Sequence, residues 1–218
     1  MNVNQDLFSS LRPQTEEIRE GVVLLRAYCS TPDLLKALKQ VLSAAPLRHM
    51  STPGGRKMSV AITNCGSVGW VSDCSGYRYT THDPLSKKAW PVMPELLFEL
   101  AKNAAFQVGF TEFEPDCCLI NRYQTNASMG AHQDRDEQSF AHPIVSVSLG
   151  ASAIFKLYGN KRGGRALNIR LDDGDVLVFG GASRLAFHGV GKCLLPGPDF
   201  MPDCRINLTF RRALDLIH

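Results

Sequence analysis

Cys204-Arg205-Ile206-Asn207-Leu208-Thr209-Phe210-Arg211 alternates strictly between polar and apolar side chains. On a strand, side chains two apart share a face. Ile206, Leu208 and Phe210 therefore point one way, and Arg205, Asn207, Thr209 and Arg211 the other. Taken alone, this is an ordinary strand with its polar face in water. Leu119-Ile120-Asn121-Arg122-Tyr123 argues otherwise, because Asn121 and Tyr123 also share a face. Two arginines with Asn and Tyr donors suit a small dicarboxylate, since a guanidinium grips a carboxylate through two parallel hydrogen bonds. At about 3.3 Å per residue the two arginine α-carbons lie roughly 20 Å apart. They would address opposite ends of the anion, or one would act on neighbouring groups instead.

Working outward, short strands are expected over 118–123, 144–149, 153–158, 165–171 and 175–179. The turns between them are marked by Gly159-Asn160, Gly163-Gly164 and Asp172-Asp173-Gly174-Asp175, the last read as a hairpin turn. Such spacing indicates a sandwich or barrel. Before it, 21–28 reads as a strand, and 58–64 as another within a polar stretch. Thr31-Pro32-Asp33 offers an N-cap, an N1 proline and an acidic first turn. Leu34, Leu35, Leu38, Val41 and Leu42 follow at helical spacing until Pro46, and a second helix is expected over 94–108. The fold class is α+β, mainly β, with two helices packed on a sheet.

The 218 residues are 44% hydrophobic and 21% charged. These values fit one globular domain and exclude disordered, collagen-like and coiled-coil classes. No run approaches the ~20 apolar residues of a membrane span, so no membrane association is expected. Residues 1–20 are polar and aperiodic, without an apolar h-region, and are read as a loose leader. Seven cysteines, with no Cys-x-x-Cys, indicate reduced thiols in the cytoplasm. A net charge of +3 permits a polyanionic partner without requiring one. Walker, nucleophile-elbow, zincin and EF-hand patterns are missing.

His132-Gln133-Asp134 places an imidazole and a carboxylate on one face of an extended chain. Such a pair alone is weak. His188, beside Gly189 and just beyond the strand ending at Phe179, supplies a third ligand. Two histidines and a carboxylate form the facial triad of non-haem Fe(II) oxygenases. His49 and His82 lie in the polar stretch and His218 ends the sequence. His142 is the rival third ligand, although its place before Pro143 at a strand start suits an exposed or capping role.

Together, Asn121-Arg122-Tyr123, His132-Gln133-Asp134, His188 and the Arg205, Asn207, Thr209, Arg211 row resemble the AlkB family of Fe(II)/2-oxoglutarate nucleic-acid dealkylases. The likeness extends to Thr52-Pro53-Gly54-Gly55, Met58-Ser59-Val60, Thr63-Asn64-Cys65-Gly66 and Gly69-Trp70, and covers about residues 21–212. Asn126 departs from the glycine many members carry before the His-x-Asp; Asn tolerates a left-handed backbone better than most residues. The resemblance implies a double-stranded β-helix (jelly roll) core over 112–212 and an N-terminal nucleotide-recognition lid over 47–92, within a single domain 21–218. It implies that His132, Asp134 and His188 hold Fe(II). Arg205, Asn207 and Tyr123 would bind the distal carboxylate of 2-oxoglutarate, with Asn121 and Arg211 near its keto-acid end and O2 as the other cosubstrate. It also implies Trp70 and His132 on either side of the target base, and Tyr77 and Arg162 on the nucleic-acid path.

Residues 48–90 fit this independently. Trp70, Tyr77 and Tyr79 lie among Arg48, Arg56, Lys57, Arg78, Lys87 and Lys88. Aromatics that stack on bases and cations that meet phosphates suit single-stranded nucleic acid. Asp136 shares the ligand face if the strand continues, and would favour a cationic base. The expected function is oxidative demethylation of 1-methyladenine and 3-methylcytosine type lesions in single-stranded DNA by a monomer. RNA and double-stranded DNA are alternative partners. An oxygenase acting on methylated RNA, protein or a small molecule, or a nucleic-acid-binding protein with a vestigial iron site, are the competing readings.

Overall fold

A computed structural model describes residues 13–215. The strands are β1 (Thr15–Arg19), β2 (Val22–Leu25), β3 (Ala61–Gly66), β4 (Gly69–Asp73), β5 (Gly76–Thr80), β6 (Cys117–Tyr123), β7 (Met129–His132), β8 (Ile144–Gly150), β9 (Ser152–Leu157), β10 (Leu167–Leu171), β11 (Val176–Phe179), β12 (His188–Leu194) and β13 (Arg205–Arg211). The helices are α1 (Thr31–Ala44) and α2 (Glu95–Gln107). One antiparallel sheet runs β1-β2-β11-β8-β13-β6-β3, a second runs β10-β9-β12-β7, and β4 and β5 form a separate hairpin. From β6 to β13 the chain distributes its strands over both sheets, four in each, which is the jelly roll.

The row read from the sequence becomes the middle of the larger sheet. Ile206, Leu208 and Phe210 share one buried cluster with Leu34, Leu38 and Val41 of α1 and Leu97, Ala101 and Ala104 of α2. Burying each of these three is worth roughly 1.5–3 kcal/mol. The opposite face of the large sheet looks into the space between the sheets, where Leu119, Tyr123, Phe155, Leu157, Ile169, Phe179 and Val190 form a second core. All seven residues of β13 are buried, so neither face meets bulk water.

Several boundaries differ from the sequence reading. Residues 1–12 of the expected leader lie outside the described residues, but Thr15–Arg19 is a strand paired with β2, not loose chain. The larger sheet also recruits β1, β2 and β3 from outside 112–212, and β3 starts three residues later than the strand expected over 58–64 and ends two later. The expected lid 47–92 therefore contributes one edge strand to the main sheet, and only β4–β5 stands apart from it. Ser30, not Thr31, is the N-cap residue of α1; the Thr31 hydroxyl donates instead to Asp173 Oδ1 at 2.6 Å. The Asp172–Asp175 turn is no hairpin. It carries the chain from β10 in one sheet to β11 in the other, tied by Asp175 Oδ1 accepting from the Ala27 N–H at 2.9 Å.

Candidate active site

β7 and β12 pair directly, with His132 and His188 as register partners. That pairing brings together two histidines far apart in sequence, and Asp134 follows two residues past the end of β7. One ligand atom from each of His132, Asp134 and His188 lies within 4.8 Å of the others. His188 opens a strand of its own that the sequence reading missed. Its neighbour Gly189 is required by close approach: a Cβ there would stand 2.8 Å from the Met129 carbonyl oxygen.

Each histidine is oriented by its other nitrogen. His132 Nδ1–H donates to the Gly130 carbonyl at 2.9 Å and His188 Nδ1–H to the Ala186 carbonyl at 3.0 Å. Both Nε2 lone pairs are thereby turned toward Asp134, at 3.6 Å and 3.8 Å from its oxygens, the arrangement that fixes imidazole ligands of a metal. Burial, with His132 adding to it, pushes the His188 pKa down to about 4, so the ring is neutral and able to ligate. Burial alone would raise the Asp134 pKa, but Arg211, His188 and His132 outweigh it and hold the carboxyl well below the usual range. Arg211 donates to Asp134 Oδ2 from Nη2 at 2.6 Å and from Nε at 3.1 Å. Two imidazoles and one ionised carboxylate match the donor set for Fe(II). His142 is not part of this ligand group; its backbone carbonyl accepts from Arg184 Nε at 3.0 Å.

The anion pocket follows from register. β13 pairs with β6 so that Arg205 lies opposite Tyr123 and Asn207 opposite Asn121. Arg205 is fully buried. Its Nη2 donates to Ser148 Oγ at 2.9 Å and its guanidinium lies 5.3 Å from the centre of the Tyr123 ring. Its Nε and Nη1 have no partner, nor have Asn121 Oδ1 and Arg211 Nη1. Buried guanidinium nitrogens without acceptors are costly unless a ligand supplies them. A carboxylate fits that vacancy. Asn207 is already engaged: Nδ2 donates to Ser146 Oγ at 2.8 Å and to the Val147 carbonyl at 3.0 Å, while Oδ1 accepts from Asn121 and Thr209. It braces the pocket and has no free amide hydrogen for an anion.

All twelve residues singled out from the sequence line one cavity of about 600 Å³. At its mouth Trp70 and Tyr77 stack with centroids 5.6 Å apart and planes 13° apart. Trp70 Nε1–H donates to Asp136 Oδ2 at 2.8 Å, so Asp136 orients the indole as well as charging the mouth. Arg162 reaches it from the β9–β10 loop. Two cations of the lid are internal braces, with Arg48 paired to Asp83 and Arg78 to Asp73. Sequence reading missed Glu137 and Arg184, which are buried together beside Asp134. Asp134-Arg135-Asp136-Glu137 reads as a solvated charge run, and only its adjacency to a ligand hinted at more.

Residues 21–211 match the model of the 2OG-Fe(II) oxygenase superfamily. The chain is 45% identical over 210 residues to the alpha-ketoglutarate-dependent dioxygenase AlkB of Escherichia coli (strain K12), covering 95% of this chain and 97% of that protein. It is 47% identical over 226 residues to the DNA N(6)-methyladenine demethylase ALKBH1D of Arabidopsis thaliana, with 89% of this chain and 50% of that protein covered. A solved structure of OsALKBH1 superposes with a TM-score of 0.77 at 28% identity, over 90% of this chain and 99% of that one. With its ligand triad, its orphaned arginine and this match across nearly the whole described fold, the chain belongs to the 2OG-Fe(II) oxygenase superfamily.

Proposed function

We propose that this chain is an Fe(II)/2-oxoglutarate-dependent dioxygenase that strips alkyl groups from the ring nitrogens of bases in DNA, preferentially single-stranded, and so reverses alkylation damage directly. The observation that carries the reading is convergence: a metal triad, a buried arginine with two free nitrogens and a stacked aromatic pair meet in one cavity. The dioxygenase and DNA demethylase names of the relatives point the same way.

Bound Fe(II) with 2-oxoglutarate and O2 supplies the oxidation, coupling decarboxylation of the keto acid to hydroxylation of an N-alkyl carbon that is then lost as an aldehyde. His132, Asp134 and His188 would hold the metal. Arg205 would take the distal carboxylate on Nε and Nη1, with Tyr123 closing over the guanidinium. Asn121 and the free Nη1 of Arg211 face the other end of the anion. Phe155 and Phe179 pack on the His188 ring at 5.4 Å and 5.2 Å, which keeps water from that side. The target base leaves its stack to reach this depth. A ring-methylated adenine or cytosine is cationic near neutral pH, so it stacks well on Trp70 and is favoured by the Asp136 carboxylate. Tyr77 and Arg162 would follow the strand, an aromatic and a cation suited to single-stranded nucleic acid. All seven cysteines are free thiols, which supports a reducing, cytoplasmic setting.

The test is mass spectrometry of 1-methyladenine and 3-methylcytosine oligonucleotides incubated with the protein, Fe(II), 2-oxoglutarate and ascorbate. Loss of one CH2 is expected, faster on single strands than on duplexes. Unchanged mass on every substrate overturns the reading.

A further inference from the structure

We infer that Glu137 and Arg184 are positioning residues for the metal ligand Asp134, and that through Tyr79 they join the nucleotide-recognition hairpin to the metal centre. This rests on the proposed Fe(II) role of the triad. Residues 133–143, between β7 and β8, have no strand partner, so their backbone carbonyls need donors from elsewhere. Arg184 supplies two of them. Its Nη1 donates to the Asp134 carbonyl at 2.9 Å and its Nε to the His142 carbonyl at 3.0 Å. Arg184 directly follows the 3-10 turn Gly181–Ser183 and precedes His188 by four residues. Gln133 Nε2 donates in the reverse direction, to the Leu185 carbonyl at 2.6 Å. The two ligand-bearing segments are thus stapled to each other by side chains that are not themselves ligands.

Glu137 completes the arrangement. Its side chain is 1% exposed and that of Arg184 3%, so both charges are removed from water. Such charges persist only when opposite charges meet them. Glu137 Oε2 lies 3.1 Å from Arg184 Nη2, a charge contact without hydrogen-bond geometry, and Oε1 lies 3.3 Å from Arg211 Nε. Arg211 in turn holds Asp134 Oδ2. Asp134 is therefore gripped twice: by its carbonyl through Arg184 and by its carboxylate through Arg211, with Glu137 between the two guanidinium groups. Oε1 also accepts the Tyr79 hydroxyl at 2.6 Å. Tyr79 is the register partner of Trp70 on the β4–β5 hairpin, and Trp70 donates to Asp136. Consecutive acids, Asp136 and Glu137, thus hold opposed residues of the hairpin two and three positions after the metal ligand.

The experiment is anaerobic titration of the full chain with Fe(II) in the presence of 2-oxoglutarate, read by the visible charge-transfer absorption of the complex, beside Tm. It needs neither turnover nor nucleic acid. Groups that orient metal ligands typically contribute 10- to 100-fold in affinity. Arg184→Lys, which keeps the charge and loses the fork, and Glu137→Gln, which keeps the shape and loses the charge, should each weaken Fe(II) by about that factor. Tyr79→Phe, which removes one hydroxyl and is the variant most compatible with folding, should shift the affinity in the same direction by a smaller factor. Asp175→Asn, a buried acid at the distant β10–β11 turn, is the control for general destabilisation. It should lower Tm and leave Fe(II) affinity within twofold. Unchanged affinity in whichever of the three site variants fold, or an equal loss in Asp175→Asn, overturns the inference. A wild-type chain that binds no Fe(II) would instead overturn the proposed function.

Discussion

Replacing Arg205 by Met separates binding from stability. In the free protein this guanidinium is fully buried, bonded to Ser148 alone, with Nε and Nη1 unpaired. Burial lowers its pKa from the usual arginine range, the mark of a charge the fold tolerates rather than welcomes. An apolar side chain of similar length removes that penalty, and replacing buried charge by well-packed apolar groups is often neutral or stabilising. The Tm of the free protein should therefore hold or rise. The ligand-bound state behaves oppositely. A carboxylate brought into a dry pocket without its cation forfeits about 2–5 kcal/mol, or roughly 30-fold to several thousand-fold in Kd at 1.4 kcal/mol per decade. The assay is calorimetric titration of 2-oxoglutarate into Mn(II)-loaded protein, with Tm measured in parallel. A Kd within threefold of wild type would refute the assignment of the anion to Arg205. A large fall in Tm with an unchanged Kd would show that the arginine serves the fold alone.

His132→Ala, Asp134→Ala and His188→Ala should each abolish turnover in the oligonucleotide assay while His142→Ala does not; a dead His142→Ala beside an active His188→Ala would reassign the third ligand. Trp70→Ala and Asp136→Ala should weaken binding of cationic methylated bases more than of neutral ethenoadenine, measured by competition with iron and a non-reactive 2-oxoglutarate analogue. Because Asp136 also orients the Trp70 indole, equal losses for both lesion classes would assign it to positioning and remove the charge argument. Gly189→Ala should push β12 from β7, since its Cβ meets the Met129 carbonyl oxygen at 2.8 Å. Overpacking of this kind costs about 1–3 kcal/mol, or roughly 2–4 °C of Tm per kcal/mol. Full stability with intact metal affinity would show that the two strands can part without harm.

What was legible in the sequence was whatever had a period. β13 declares itself because its apolar row meets two helices and its polar row meets a cavity, so both faces are under constraint. The helices show in Leu34, Leu38 and Val41, and in Leu97, Ala101 and Ala104, for the same reason. β7 and β12 do not declare themselves. Met129-Gly130-Ala131-His132 and His188-Gly189-Val190-Gly191 carry three glycines, of which close approach demands Gly189, and almost none of the β-branched residues that mark strands. Pairing holds these segments extended, and pairing has no signature in a single strand. The destination of the Asp172–Asp175 turn was illegible too, since turn chemistry says where a chain bends but not which sheet receives it. Glu137 and Arg184 belong to the same class: their meaning depends on a contact between separate segments.

The position of β13 has a consequence for how the chain is made. It is the final strand among the described residues, yet it lies between β6 and β8 in the larger sheet. Those two strands leave the ribosome well before their shared neighbour. Until it arrives, their facing edges carry unsatisfied backbone groups along apolar segments, an opening for wrong pairing with other chains. The closing strand is also the one bearing Arg205 and Arg211. Sealing of the sheet and completion of the cosubstrate pocket are therefore a single event, and a nascent chain halted before residue 205 has neither.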